Sequence, residues 1–478
     1  MKLVGREKEI KELEKLYKSD KPEFVALFGR RRVGKTFLIN EVFENKFAFK
    51  HTALSPLEDS LNNKMTTKMQ LDNFKESLIK YGYQGARVIS DRYQAFYALE
   101  ELLESLGEGR KVVFIDELPW LDTYGANFVS AIDLFWNSWA NCHNILFIIC
   151  GSANAWMTKK MLNNYGGLYN RITYEIELLP LSLKECEQFF KEKHILLSRY
   201  DIVQLYMTFG GIPFYLDLID GSMSIGQNVQ KLFFSRPAKL SNEFTKLFKS
   251  TFNNPDLIIK ILKFMFTKKI GYTREEIIKG LDLKEGEATS DAFNALIASG
   301  YVFKYRPLID NRKTLYYKIC DPFTLFYLEF VNKEKSLDSN LFEHNYESKK
   351  ISTWRGLSFE NVCFNHINEI KRALQIESIE SEVYPFVYVE DGKIDSQIDL
   401  VIDRKDNIVN LCECKFYSDD YLLNKNEYLK LVRRSGSLSK LVNKKQVVRN
   451  TLITTFGLKY NEYSSLFNSV ITLDDLFR

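Results

Sequence analysis

Gly29-Arg30-Arg31-Arg32-Val33-Gly34-Lys35-Thr36 satisfies the spacing G-x-x-x-x-G-K-[ST]. The glycines let successive backbone N–H groups curl around phosphate oxygens, Lys35 brings an ammonium to the terminal phosphates, and the Thr36 hydroxyl is a hard oxygen ligand for Mg²⁺. Phe37 opens the apolar helix Phe37-Leu38-Ile39-Asn40-Glu41-Val42-Phe43, whose N-terminus adds its positive dipole end. A second half of such a site follows in Val112-Val113-Phe114-Ile115-Asp116-Glu117, an apolar strand ending in two acids. Asp116 is expected to hold Mg²⁺ through water, and Glu117 to polarise the water that attacks the terminal phosphate. A buried strand ending in a solvated acidic pair is the plainer alternative, and the glycine-rich loop upstream argues against it. The chemistry indicated is hydrolysis of a nucleoside triphosphate.

A second set of acids lies near the end of the chain. Gln397-Ile398-Asp399-Leu400-Val401-Ile402 and Ile408-Val409-Asn410-Leu411-Cys412-Glu413-Cys414-Lys415 flank a turn at 403–407 and read as an antiparallel hairpin. With Ile402 opposite Ile408, strand alternation puts Gln397, Asp399, Glu413 and Lys415 on one face and Ile398, Leu400, Cys412 and Cys414 on the other. Asp399 and Glu413 are then diagonal neighbours, about 7–8 Å apart, able to grip one Mg²⁺ or Mn²⁺. Two carboxylates on a metal that acidifies water, with Lys415 beside them, suit phosphodiester hydrolysis; a salt-bridged strand face is the alternative. Zinc on Cys412 and Cys414 is disfavoured by their one-residue gap, the lack of a second cysteine pair and only five histidines in the chain. Lys430, Arg433 and Arg434 follow on a helix, as phosphate contacts or as a solvated face.

Three weaker signals lie between these sets. Ser152, or Asn154, after the strand Asn144 to Cys150 is placed to reach the terminal phosphate or the lytic water, or else caps a helix. Arg171 can read that phosphate in cis or from a neighbouring subunit, or form a surface ion pair. Gly210-Gly211-Ile212-Pro213 is a turn against the base and sugar, or a plain helix break.

These residues need elements to hold them. Strands at Phe24 to Phe28, Lys111 to Ile115 and Asn144 to Cys150 alternate with helical stretches, the mark of a parallel α/β sheet. The order of parts is that of a phosphate-loop machine with an additional strand. Residues 181–245 turn helical, 246–335 give short helices and then an aromatic hairpin, and 336–478 return to mixed α/β character. The expected segments are therefore 1–180, 181–245, 246–335 and 336–478. At 478 residues the chain has room for about three domains. Lys plus Arg at 66 against Asp plus Glu at 62 leaves +4, too near balance for a histone-like polycation. No apolar run nears the roughly 20 residues that span a bilayer. Seven unpatterned cysteines and a start without a signal-peptide core lead us to expect the reducing cytoplasm and no membrane.

The opening Val4-Gly5-Arg6-Glu7, the arginine-rich loop, Asp116-Glu117, Gly151-Ser152, Leu168 to Arg171 and Gly210 to Pro213 together resemble the archaeal-type ATPases of the STAND branch of the AAA+ superfamily, over roughly residues 1–335. The resemblance implies an α/β P-loop NTPase sheet with a helical lid and a winged helix, and ATP with Mg²⁺ as cofactors. It places Gly5 and Arg6 near the adenine and Pro213 at the nucleotide-sensing lid position. A second sensor arginine is not recognisable in the lid. In the winged helix, Thr273 caps one helix and Ser290 to Ile297 forms the next, which carries Asp291 and Asn294 but no Lys or Arg. That helix either packs on protein or leaves duplex contact to Lys304, Arg306, Arg312 and Lys313 on the wing. The tail resembles the PD-(D/E)XK nucleases, an α/β restriction-endonuclease-like fold, with Asp399 as the D, Glu413-Cys414-Lys415 as E-x-K and, by the resemblance, Glu360 as the acid of the preceding helix. Expected partners are ATP, a nucleic acid with DNA favoured, and a nucleotide-dependent homo-oligomer or a protein. The expected function is an ATP-driven switch coupled to a metal-dependent nuclease, in a defence or mobile-element setting. The alternative is a switch whose C-terminal fold binds DNA without cutting it.

Overall fold

In the computed structural model, which describes residues 3–55, 63–123, 127–152, 154–162, 170–252, 254–306, 315–332, 342, 346–390 and 393–478 without the side chains of 63–65, 154, 387–390 and 393–396, the chain divides into two units, Met1–Leu179 and Pro180–Arg478. The first is built on five parallel strands: β1 (Glu23–Phe28), β2 (Phe47–Thr52), β3 (Lys111–Asp116), β4 (Ile145–Gly151) and β5 (Tyr174–Glu177), in the order β2-β3-β4-β1-β5. β4 lies between the strand that feeds the glycine-rich loop and the strand that carries Asp116, so all three strand ends open on one edge. Both sheet faces are covered, which is why these strands are continuous apolar runs instead of alternating ones. Phe24, Ala26, Val113, Ile115, Phe147 and Ile149 belong to one apolar layer with Phe96, Phe135 and Trp136. Val25, Leu27, Val112, Phe114, Leu146 and Ile148 alternate with them and are equally inaccessible. The Phe147 ring lies 4.8 Å from Phe24 and 5.4 Å from Phe135. Truncating such a residue to alanine costs about 3–5 kcal/mol.

Two helices of this unit matter for the site. α1 (Glu7–Tyr17) starts after Gly5 and Arg6, both in the left-handed region at φ 67° and 62°. α2 (Lys35–Val42) starts after Gly34, at φ 95°.

The second unit holds the segments separated in the sequence at 245/246 and 335/336. Its helical part includes α3 (Arg199–Phe209), buried continuously from Ile202 to Phe209 and therefore a core helix, not an amphipathic surface one. Next come α4 (Arg274–Gly280) and α5 (Glu287–Ala298) with a small antiparallel sheet of β6 (Tyr272–Thr273), β7 (Val302–Tyr305) and β8 (Tyr316–Ile319), ordered β6-β8-β7. The last part is a five-stranded sheet ordered β15-β13-β11-β10-β9, from β9 (Ser381–Glu390), β10 (Lys393–Arg404), β11 (Ile408–Lys415), β13 (Val447–Thr454) and β15 (Ser469–Ile471), flanked by α6 (Lys349–Asn365) and α7 (Lys425–Leu441). A two-stranded ribbon, β12 (Tyr421–Leu422) and β14 (Leu458–Lys459), lies apart from it.

These parts share cores. Tyr305, with Phe303 and Tyr316 packed alongside, belongs to one cluster with Tyr384, Phe386, Ile398, Val401, Leu411 and Leu438. Tyr200 of α3 stacks on Phe416 at 4.7 Å, and Arg199 pairs with Asp474 at 2.6 Å. The β10–β11 hairpin differs from the expected register: Ile402 faces Asn410, not Ile408, and the ladder closes at Asp403 and Val409. The five-residue turn is displaced by one residue, to 404–408, with Asn407 in the left-handed conformation, φ 66°, and Arg404 gripping Asp406. A shift of two residues alone keeps the faces, but a bulge between Ile398 and Val401 turns Ile398 onto the face of Val401 and Leu411, away from that of Leu400 and Cys412 where it was expected.

Candidate functional site

Gly29 follows β1 at φ 152°, and a Cβ there would lie 2.3 Å from the Leu178 carbonyl oxygen, so the close approach of the two chains requires glycine. Arg32 at φ 73° and Gly34 at φ 95° complete the curl into α2. Lys35 Nζ donates to the carbonyls of Gly29 at 2.8 Å and Arg30 at 3.0 Å, which holds the ammonium across the mouth of the loop. The Thr36 hydroxyl donates to Asp116 Oδ2 at 2.7 Å. Asp116 Oδ1 accepts the Glu117 N–H at 2.9 Å, and Glu117, at φ 50°, accepts the Ser152 hydroxyl on Oε2 at 2.7 Å. Loop, second strand and additional strand therefore meet through Thr36, Asp116, Glu117 and Ser152. Val33 is buried, and the Arg31 guanidinium lies 5.7 Å from the Trp120 ring. Arg30 and Arg6 are buried, and Arg6 Nη2 donates to the Leu179 carbonyl at 2.7 Å.

Of the weaker signals, Ser152 joins this group, whereas Asn154 opens a short helix, Asn154–Trp156. Arg171 is exposed and forms no ion pair among the described residues; Leu168 and Tyr169 lie outside them. Pro213 opens the helix Pro213–Leu216 in the second unit, and Gly211 just before it admits no Cβ, which would lie 1.8 Å from the Leu181 carbonyl oxygen.

The second set of acids is assembled by β10, β11 and α6. The pairing of β10 with β9 breaks between Ile398 and Val401, a bulge at Asp399. Asp399 Oδ2 accepts the Cys414 N–H at 3.0 Å. Burial, then Glu413 and Glu360, push the Asp399 carboxyl well above the ordinary carboxylate range. Burial also raises Glu360, against the charge of Lys318. Burial works against the Lys415 charge, yet Glu413 beside it holds the ammonium above the usual lysine range.

The expectation of a metal gripped by Asp399 and Glu413 meets acids that already have partners. Glu413 has both oxygens engaged, Oε1 by Lys415 at 2.8 Å and Oε2 by Arg434 at 2.6 Å. Among the described residues no three His, Cys, Asp or Glu side chains are arranged to hold a metal ion. The donor types suit Mg²⁺ or Mn²⁺, but both Glu413 oxygens are on cations and Asp399 Oδ2 is on the Cys414 N–H, and the set as arranged does not fit one. Arg434, read as a phosphate contact or a solvated residue, is an internal partner of Glu413, while Lys430 and Arg433 are exposed. Cys412 and Cys414 are core residues whose thiols are pushed up, Cys412 by burial and Cys414 by Cys363 and burial.

Lys318 was missed. It sits on β8, 8% exposed, where burial lowers its pKa while Glu360 and Asp399 act in the opposite direction. A lysine within an aromatic strand carries no local signal of a carboxylate partner that lies beyond the hairpin. On the proposed wing, Lys304 and Arg306 are exposed and Arg312 and Lys313 lie outside the described residues; Phe303 and Tyr305 face the C-terminal sheet.

Residues 3–219 match the family described as an ATPase domain predominantly from Archaea. An uncharacterized protein of Methanocaldococcus jannaschii, MJECL04, is 25% identical over 394 residues, 82% of this chain and 81% of that protein. An uncharacterized ATP-binding protein of the same organism, MJ0423, is 46% identical over 43 residues, 9% of this chain and 73% of that protein. Among solved structures, the Walker-type ATPase PABY2304 of Pyrococcus abyssi superposes with a TM-score of 0.47 at 18% identity, over 69% of this chain and 96% of that one. No helix among the described residues is long and apolar enough to cross a membrane.

Proposed function

From an archaeal-type ATPase domain at residues 3–219, we propose that the chain is an Mg²⁺-dependent ATP hydrolase that works as a nucleotide switch, with residues 180–478 as its output. The observation that carries this reading is the meeting of Thr36 with Asp116 at 2.7 Å and of Ser152 with Glu117 at 2.7 Å. Two hard oxygen donors from loop and strand suit Mg²⁺, which would be held at Thr36 and Asp116 and would supply charge neutralisation at the phosphates. The chain's own groups do the rest. Backbone N–H groups from Gly29 to Thr36 cradle the phosphates, and Lys35 exchanges the Gly29 and Arg30 carbonyls for phosphate oxygens. Glu117, one residue past Asp116, accepts a proton from the attacking water, and Ser152 holds that carboxylate in place. By the family resemblance Gly5 and Arg6 would serve the base, Arg171 would read the terminal phosphate, and Pro213 would hold the nucleotide-sensing lid position.

For the output we favour a nucleic-acid-binding module, a winged helix joined to a nuclease-like fold, that does not cut in the state described, because both oxygens of Glu413 are held by cations. Phosphate release from ATP by the full chain is expected with Mg²⁺, to cease with EDTA, and to be lost in Lys35→Ala. DNA given with Mg²⁺ or Mn²⁺ is expected to stay intact. Cleavage that Asp399→Ala abolishes would instead establish the nuclease reading.

A further inference from the structure

The carboxylate centre is charge-balanced from within, and one of its cations comes from a segment outside the nuclease-like sheet. Lys415 and Arg434 both engage Glu413. Glu360 and Asp399 remain; Lys415, itself engaged by Glu413, acts on both, Lys269 acts on Glu360, and Lys318 of β8 is a further, buried cation that acts on both. Its ammonium lies 5.1 Å from the centre of the Phe364 ring, one turn along α6 from Glu360, so the side chain lies along the helix face that carries this acid. It forms no ion pair within contact distance among the described residues.

The strand that carries Lys318 is fixed in place. β8 pairs with β7, Lys318 opposite Phe303, and the Phe303 ring lies 5.3 Å from Phe364. Tyr305 and Tyr316 pack in the apolar cluster that covers β10 and β11. Withdrawing Lys318 would open that cluster, so the ammonium is a resident of the centre and not a passing contact.

We propose that Lys318 stands in for a divalent cation, delivered by the β7–β8 hairpin into the Glu360–Asp399 side of the centre and closing it to Mg²⁺ or Mn²⁺. Three carboxyl groups face three cationic side chains there, and an entering divalent ion would meet Lys318 and Arg434 at short range in a poorly hydrated space. With the Lys318 charge removed, Lys415, already paired with Glu413, is the cation left to act on both Glu360 and Asp399, with Lys269 acting on Glu360, and a metal ion would relieve the crowding of the three carboxyl groups. The inference rests on the non-cleaving reading of this centre, and its test reads metal binding instead of cleavage, so the two fail separately.

The test is a Mn²⁺ titration of the nucleotide-free full chain, followed by the paramagnetic resonance of free Mn²⁺, with Asp116→Asn in every sample so that the phosphate loop contributes no ion. Without further change the chain is expected to bind no stoichiometric Mn²⁺. Lys318→Met, which keeps the packing over Phe364, is expected to bind one equivalent at least about tenfold more tightly, and adding Asp399→Asn should remove it. Lys318→Arg, which keeps the charge, should stay closed. Melting curves verify folding, and Lys318→Gln replaces the methionine variant if that one does not fold. The proposal is overturned if the chain with Lys318 intact binds one Mn²⁺ lost on Asp399→Asn, or if a folded, uncharged Lys318 variant binds none.

Discussion

Glu117 is placed by what surrounds it: a left-handed backbone at φ 50°, the Ser152 hydroxyl on its carboxylate, and Asp116 one residue behind holding Thr36. This local arrangement follows from contiguous motifs, which is why Gly29, Lys35, Thr36, Asp116 and Glu117 are readable from spacing alone. Arg434 and Lys318 are not, because their partners are met only after the chain has folded across a sheet and a hairpin. His51 shows another residue-scale effect. Burial, and then Arg92, lower its pKa from 6.5 to about 3, and its Nδ1 lies 2.9 Å from the Ser77 hydroxyl. The folded state thus holds His51 neutral while the unfolded chain takes up a proton below about pH 6.5, so this contribution is complete above that pH and is lost as the pH falls toward 3. Urea unfolding of the first unit is expected to weaken by up to about 1.4 kcal/mol per pH unit below 6.5. His51→Asn should flatten that slope; an unchanged slope would contradict the assignment.

At the scale of elements, strands β1, β3 and β4 are legible because burial on both faces writes them as apolar runs. β2, Phe47-Ala-Phe-Lys-His-Thr, is harder to read because Lys50 and His51 interrupt it, and β5 is only four residues long. The hairpin that carries Asp399 and Glu413 is readable as a hairpin but not in its register or in the face of Ile398, since residue spacing does not reveal where the turn sits or that the strand bulges at Asp399. Joints between elements are invisible in the sequence. His366 is one: Nδ1 lies 2.8 Å from the Val362 carbonyl, and Nε2 accepts the Leu183 N–H at 3.1 Å, tying the end of α6 to the start of the helix Leu183–Glu192. Burial lowers its pKa, in keeping with the neutral form that one donor and one acceptor require. His366→Ala leaves the Leu183 N–H without a partner and is expected to cost about 1–3 kcal/mol in the second unit's unfolding transition. His366→Gln, which restores an acceptor, should recover part of it.

For the whole molecule, four sequence segments become two units because aromatic residues of the later segments share cores, as Tyr305 does with Tyr384 and Tyr200 with Phe416. Composition shifts mark where a chain changes character, but they do not show which parts later pack together. In the proposed division of labour the first unit would carry the phosphate chemistry, and the second an output whose acidic centre its own cations would hold closed. The most direct test of the central claim, that Glu117 hydrolyses a nucleotide bound by Lys35 and Thr36, is single-turnover ATP hydrolysis in parallel with ATP binding for the native chain, Glu117→Gln and Lys35→Ala. The expected result is that Glu117→Gln binds ATP as the native chain does but loses about 10²–10⁴ of its hydrolysis rate, while Lys35→Ala loses binding. Native-rate hydrolysis by Glu117→Gln would contradict it.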